Sequence, residues 1–313
     1  ANRIAGIFDA PRDIVDGPRD QTPRGGRLEL VDVGFKFPDS DDTAPSGESE
    51  KWVLRHVNLV VEPGETLALV GATGSGKSAL VGLLSRLYDV TEGEIRVDAQ
   101  DIRELSLDAL RQAIATAFED PTLFSMSVAE NLRLGRPDAT ESELRQAIEV
   151  AAAEFVYDLP FGLDTRIGEQ GMSLSGGQRQ RLSLARAILA TPRILVLDDT
   201  LSALDVHTEA VVEEALRRVL HEVTGVVVAH RASTVLLADR VALLENGTIT
   251  HVGTHAEMLA EVPGYRYLLA ADDELDDGAE RDCAWEDGDE PHPRREEFDD
   301  GHARLEHQML EKR

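Results

Sequence analysis

The chain has 313 residues, 42% of them apolar, enough for one or two cored domains. A formal net charge of −27 argues against nucleic acid as a partner, because phosphate neutralisation needs clustered Lys and Arg. A single cysteine, Cys283, excludes an internal disulfide framework and fits a reducing cytosol, and no apolar run is long enough for a membrane span.

In chain order, the first segment without apolar periodicity is DSDDTAPSGESE (39–50), with five acids and no base. It reads as a solvated linker. ETLALV (65–70) reads as a buried strand, and GATGSGKS (71–78) follows it. ALVGLLSRLY (79–88) then has apolar residues at helical spacing. Strand, glycine loop and helix together are the context that a phosphate-binding loop requires. Gly71, Gly74 and Gly76 let the backbone turn tightly and aim N–H groups at phosphate oxygens, with Ala72, Thr73 and Ser75 between them. The helix adds its positive N-terminal end. Lys77 supplies a charge for the outer phosphates, and the Ser78 hydroxyl can ligate Mg²⁺.

LSGGQRQRLSLARAIL (174–189) places LSGGQ where a loop becomes a helix, with Leu182, Ala185 and Leu189 on one face. Ser175 and Gly177 offer a hydroxyl and a backbone N–H at that helix start, a second anion site. ILVLDD (194–199) reads as a strand ending in two acids, a placement that suits a hard cation. From residue 270 onward there are 17 acidic and 6 basic residues, net −11, which reads as a disordered tail over 271–313. A short helix within it, with Leu305 and Met309 one turn apart, is compatible with the spacing.

These segments, with SALD (202–205) and VVVAHR (226–231), resemble in order and spacing an ABC transporter nucleotide-binding domain over residues 27 to 269. The resemblance implies an α/β fold: a RecA-like P-loop NTPase core, an inserted α-helical subdomain at about 120–184, and an antiparallel β subdomain near the N-terminus. It sets the domain at 18–270, after an elbow-like start (1–17) that resembles the exit from a transmembrane helix. DTRIGEQG (164–171) resembles a loop of exporter-fold members. FKFP (35–38) is similar to the adenine-stacking segment, with Phe37 where tyrosine is usual; its ring still offers a stacking face.

The same resemblance implies ATP and Mg²⁺ as ligands. Asp198 matches the Mg²⁺-holding position, His230 the residue that contacts the γ-phosphate, and Asp205 an aspartate that crosses a dimer interface. Gln178 belongs with Ser175 and Gly177 to the signature that covers a partner's nucleotide. Two positions depart from the pattern. Asp199 stands where catalytic members have glutamate, shorter by about 1.5 Å; misplacement of that size can cost about 10²-fold. Glu119 stands where a glutamine contacts the metal and water, and a carboxylate cannot donate a hydrogen bond unless protonated.

The expectation is therefore an ATPase domain with weak hydrolysis at its own site. It is the degenerate-site half of a heterodimer with a second half-transporter, joined to its own transmembrane domain at the cytoplasmic face of the cell membrane. A soluble ABC ATPase of DNA repair or translation, or a nucleotide sensor without hydrolysis, is the competing expectation.

Overall fold

The computed structural model describes residues 14–37, 52–168 and 174–269. Most of the elbow-like start, the acidic run at 39–50, the end of DTRIGEQG, and the tail with Cys283 and its expected helix lie outside the described residues.

In chain order the elements are β1 (Leu28–Phe35), β2 (Leu54–Val61), β3 (Thr66–Val70), α1 (Lys77–Leu84), β4 (Glu92–Val97), β5 (Gln100–Asp101), α2 (Leu107–Ala113) and β6 (Ile114–Ala117). Then follow α3 (Val128–Arg133), α4 (Glu141–Val150), α5 (Gly176–Leu189), β7 (Ile194–Asp198), α6 (Val206–Leu220), β8 (Thr224–Val228), α7 (Ala232–Val235), β9 (Arg240–Glu245), β10 (Thr248–Gly253) and α8 (His255–Glu261). Among the described residues the strands form two sheets: an antiparallel one in the order β2-β1-β4-β5, and a larger one in the order β10-β9-β3-β8-β7-β6. In the larger sheet β9, β3, β8, β7 and β6 run parallel and β10 is antiparallel at one edge. This is the expected mixed α/β architecture.

The burial patterns explain the division. Every residue of β3, β7 and β8 is buried, so both faces of that sheet are covered and the strands carry no polar alternation. In β2 the buried positions are Leu54, Val57, Leu59 and Val61, with exposed residues between them, the pattern of a sheet covered on one side. Apolar residues of β1, β2 and β4 pack with α1 and one face of the large sheet. The helices from α3 to α6 pack with β6, β7 and β8 on the opposite side.

Helix α1 ends at Leu84, four residues before the end of the apolar run read from the sequence. Arg86 has φ +50, a left-handed conformation that ends the helix and turns its side chain under the domain. Arg86 is 5% exposed. It donates to Asp89 Oδ1 at 2.9 Å and to the Val15 carbonyl at 2.7 Å. The segment at 14–22 is fastened further by Asp16 Oδ1, which accepts from the Leu107 N–H at 2.7 Å, and by Arg19, whose carbonyl accepts from Ser106 N–H at 2.7 Å. The segment entering the domain is thus tied to the end of α1 and the start of α2.

Replacing Arg86 with Met keeps the aliphatic contact but strands the Val15 carbonyl and frees Asp89. The expected loss is on the order of 2 kcal/mol in unfolding free energy. Limited proteolysis should cleave near residues 14–22 faster than in the parent chain; an unchanged pattern would mean that Arg86 does not hold this segment.

Candidate nucleotide site

The parallel strands deliver their next residues to one edge of the sheet. Leu69 pairs with Val228, Val228 with Asp198, and Leu197 with Ala117. The loop at 71–78 leaves β3, His230 lies just past β8, Asp198 ends β7, and Glu119 lies just past β6. Adjacent strands are about 4.8 Å apart, so β3 and β6 lie about 14 Å apart, with β8 and β7 between them. The carboxyl edge of a parallel sheet is where such folds bind ligands.

The glycine loop is built for close approach. A Cβ on Gly71 would lie 2.3 Å from the Leu244 carbonyl oxygen, so no larger residue fits. Gly74 and Gly76 have φ of +81 and +108, and a Cβ on Gly74 would meet nothing within 4 Å. Ala72 and Thr73 are exposed, as is Ser78. Helix α1 has Gly76 at its N-cap and no side-chain cap, so its first N–H groups are left to another acceptor. Ser75 Oγ is buried without a hydrogen-bond partner. Lys77 is 6% exposed, and its ammonium donates to the Gly71 and Ala72 carbonyls at 2.6 and 3.1 Å. A loop with uncapped N–H groups, an orphan hydroxyl and a lysine folded onto its own carbonyls fits a polyphosphate.

Glu119 and Asp198 line one groove with Ser78 of the loop. Asp198 is buried, and its carboxyl is pushed up to about 6. Burial is the main cause, the charges of Glu119 and Asp199 add to it, and Lys77 opposes it. The Asp198 carboxyl therefore lies among two like charges and one ammonium. Among the described residues no three His, Cys, Asp or Glu side chains are arranged to hold a metal by themselves. One or two carboxylates completed by a hydroxyl and phosphate oxygens are what Mg²⁺ usually takes, and Asp198 with Ser78 and Glu119 fits that donor set.

Asp199 is half-buried with φ +44. Aspartate is one of the few non-glycine residues that enter this region readily. Its carbonyl accepts from Ser202 Oγ at 2.9 Å.

The signature segment caps itself. Ser175 Oγ accepts from the Gln178 N–H at 3.2 Å, and Gln178 Oε1 accepts from the Ser175 N–H at 2.9 Å. The Ser175 hydroxyl proton is not used by this capping box and can still be donated outward. A Cβ on Gly177 would come within 2.6 Å of the Ala203 carbonyl oxygen, so this glycine is needed for close packing as well. Asp205 is the N-cap of α6: it accepts from Thr208 N and Thr208 Oγ1 at 3.0 and 2.7 Å, and these bonds hold its carboxyl below the usual range.

Phe37 is 49% exposed, with Tyr88 edge-on at 5.4 Å and Phe35 at 4.9 Å between ring centroids. Tyr88 fixes the Phe37 ring from a position 51 residues away, which nothing in the local sequence announces. His230 is half-buried between β8 and Arg231. Arg231 donates to Glu209 Oε2 at 2.5 Å, which ties the His230 turn to α6. Gln180, Glu209 and Tyr88 were not singled out from the sequence. Gln180 and Glu209 are polar residues inside amphipathic helices, and burial is the property that would have marked them.

Sheet order, glycine loop and acidic edge define a P-loop nucleotide-binding domain. The ABC transporter family model matches residues 54–202. A multidrug efflux ATP-binding/permease protein of Mycobacterium tuberculosis is 43% identical over 279 residues, covering 88% of this chain and 22% of that protein. A Staphylococcus aureus protein, provisionally named a multidrug export ATP-binding/permease protein, is 42% identical over 267 residues, covering 84% of this chain and 45% of its own length. Among solved structures, a bacterial Atm1-family ABC exporter with ATP bound matches with a TM-score of 0.78 and 31% identity, over 87% of this chain and 47% of that one. The chain thus carries an ABC transporter nucleotide-binding domain of the exporter type. It spans less than half the length of each of these relatives, and among the described residues no helix is long and apolar enough to cross a membrane.

The Asp198 carboxyl has its folded-state value above the ordinary 3.8. Its ionised form therefore costs stability in full above about pH 6, and the cost fades as the pH falls toward 3.8. Without nucleotide or metal, Asp198→Asn should stabilise the chain at pH 7.5 by on the order of 2 kcal/mol, and by much less at pH 4. Urea unfolding of both proteins at the two pH values checks this; a gain equal at both would show that the carboxylate is not strained by its neighbours.

Proposed function

We propose that this chain is the ATP-binding part of an exporter-fold ABC transporter, and that it couples ATP binding and hydrolysis to transport through a membrane domain. The observation that carries the reading is the convergence of Lys77, Asp198, Asp199 and Glu119 at one sheet edge beside an uncapped glycine loop. In this reading Phe37 stacks on the adenine and residues 71–78 wrap the phosphates. Ser78, Asp198 and Glu119 hold Mg²⁺, which would neutralise phosphate charge when bound. His230 reaches toward the outer phosphate, and Asp199 orients the attacking water.

Two such domains are needed for a complete site, because Ser175, Gly177 and Gln178 would cover a nucleotide held by a partner, with Asp205 at the contact. We assign the chain to the degenerate half of a heterodimer: its own acids are altered at two positions that face one phosphate, while its LSGGQ is intact. Turnover would then be slow at its own loop and faster at the site to which it lends its signature. A groove lined by Phe124, Leu134, Leu87 and Arg186 starts beside Ser78, Glu119 and Asp198. Its exposed apolar side chains suit contact with the membrane domain, and in this reading the chain lies at the cytoplasmic face of the membrane. The multidrug names of the two relatives favour export over the soluble repair or translation class.

A fluorescent ATP analogue titrated with Mg²⁺ into the chain and into Lys77→Ala tests the reading. The substitution should weaken binding at least ~10-fold, since it removes the ammonium facing the outer phosphates. Equal affinities would remove Lys77 from the site, and the nucleotide reading with it.

A further inference from the structure

Gln180 lies one turn into α5 and is 5% exposed, yet all its polar atoms are engaged. Its Oε1 accepts from the Ala203 N–H at 3.0 Å. That contact fixes the amide orientation, so Nε2 is the donor. Nε2 donates to Ser202 Oγ at 3.1 Å and to the Glu119 carbonyl at 3.4 Å. Ser202 Oγ in turn donates to the Asp199 carbonyl at 2.9 Å. One buried side chain thus holds the backbone at both altered acids and at the loop before α6. Gly177 packs against Ala203 one turn earlier on the same helix, so α5 grips that loop at two points. Every member of the network is neutral, which matters beside three carboxylates.

We propose that Gln180 is a positioning residue that couples the signature helix to the chain's own Glu119 and Asp199. The inference rests on the nucleotide reading above. The helix start at Ser175 and Gly177 serves one composite site, while Glu119 and Asp199 serve the other. Gln180 makes the backbone of the second set move with the first, so a nucleotide held at 71–78 alters the LSGGQ end of the same chain. The link acts within one chain and needs no contact across a dimer.

Amide hydrogen exchange on the full chain tests it. Gln180→Met keeps the length of the side chain and removes its polar atoms. Without nucleotide, the Ala203 amide should exchange at least ~10-fold faster in the variant, while amides in β3 and β8 keep their protection. With Mg-ATP, the parent chain should show slower exchange at residues 175–179, and the variant should confine the slowing to the glycine loop. Ser202→Ala, at an exposed position, should keep Ala203 protected but lose the response at 175–179. This second variant decides the question if Gln180→Met does not fold. An unchanged Ala203 amide in Gln180→Met, or a full response at 175–179 in either variant, would overturn the proposal. If the parent chain binds no ATP, the functional reading fails, and the Ala203 measurement still decides whether Gln180 holds that loop.

Discussion

The buried Asp198 carboxyl, placed at the carboxyl edge of the parallel sheet among two like charges and one ammonium, constrains the whole site. Asp198 ends β7 in the row formed by Leu69 and Val228. Its carboxyl is raised because burial and two like charges outweigh Lys77. A divalent cation with its phosphates would reverse that balance. The glycine loop opposite has the complementary need: its helix start is uncapped and Ser75 Oγ is orphaned. In the proposed function Mg²⁺ with a polyphosphate would meet the needs of both.

The scaffold around the site is held by side chains that bond to backbone. Arg86 joins the end of α1 to the entering segment through the Val15 carbonyl. Gln180 joins α5 to the turns after β6 and β7. Arg231 and Glu209 join the turn after β8 to α6. Each tie lies on or beside an element that also carries a site residue or a signature residue. Glu209 illustrates the cost: burial raises its carboxyl despite the Arg231 charge, and the neighbouring Glu213 adds to the rise.

Much of this was legible in the sequence. The apolar runs of β3, β7 and β8 have no polar alternation because both faces are covered, so they stand out as buried strands. The glycines of the loop and the Ser-x-x-Gln start of α5 are local signals, set by backbone conformation and capping within four residues. What stayed hidden is long-range. Gln180 meets Glu119 from 61 positions away, and Tyr88 meets Phe37 from 51 positions away. The apolar spacing runs four residues past the end of helix α1, because it continues through Arg86 while that residue's positive φ ends the helix. Asp199 was read as a shortened glutamate. Its left-handed backbone supplies a second reason for aspartate at that position.

In the proposed function the site binds Mg-ATP while Asp199 and Glu119 limit hydrolysis. The most direct measurement is turnover by the chain carrying Asp199→Glu together with Glu119→Gln, at saturating Mg-ATP, beside the parent chain. The first change returns reach to the attacking water; the second removes a repulsive charge and supplies an N–H donor. The double change should raise turnover at least ~10-fold, about 1.4 kcal/mol of barrier, more than the sum of the single changes. Unchanged turnover with nucleotide binding intact would contradict it.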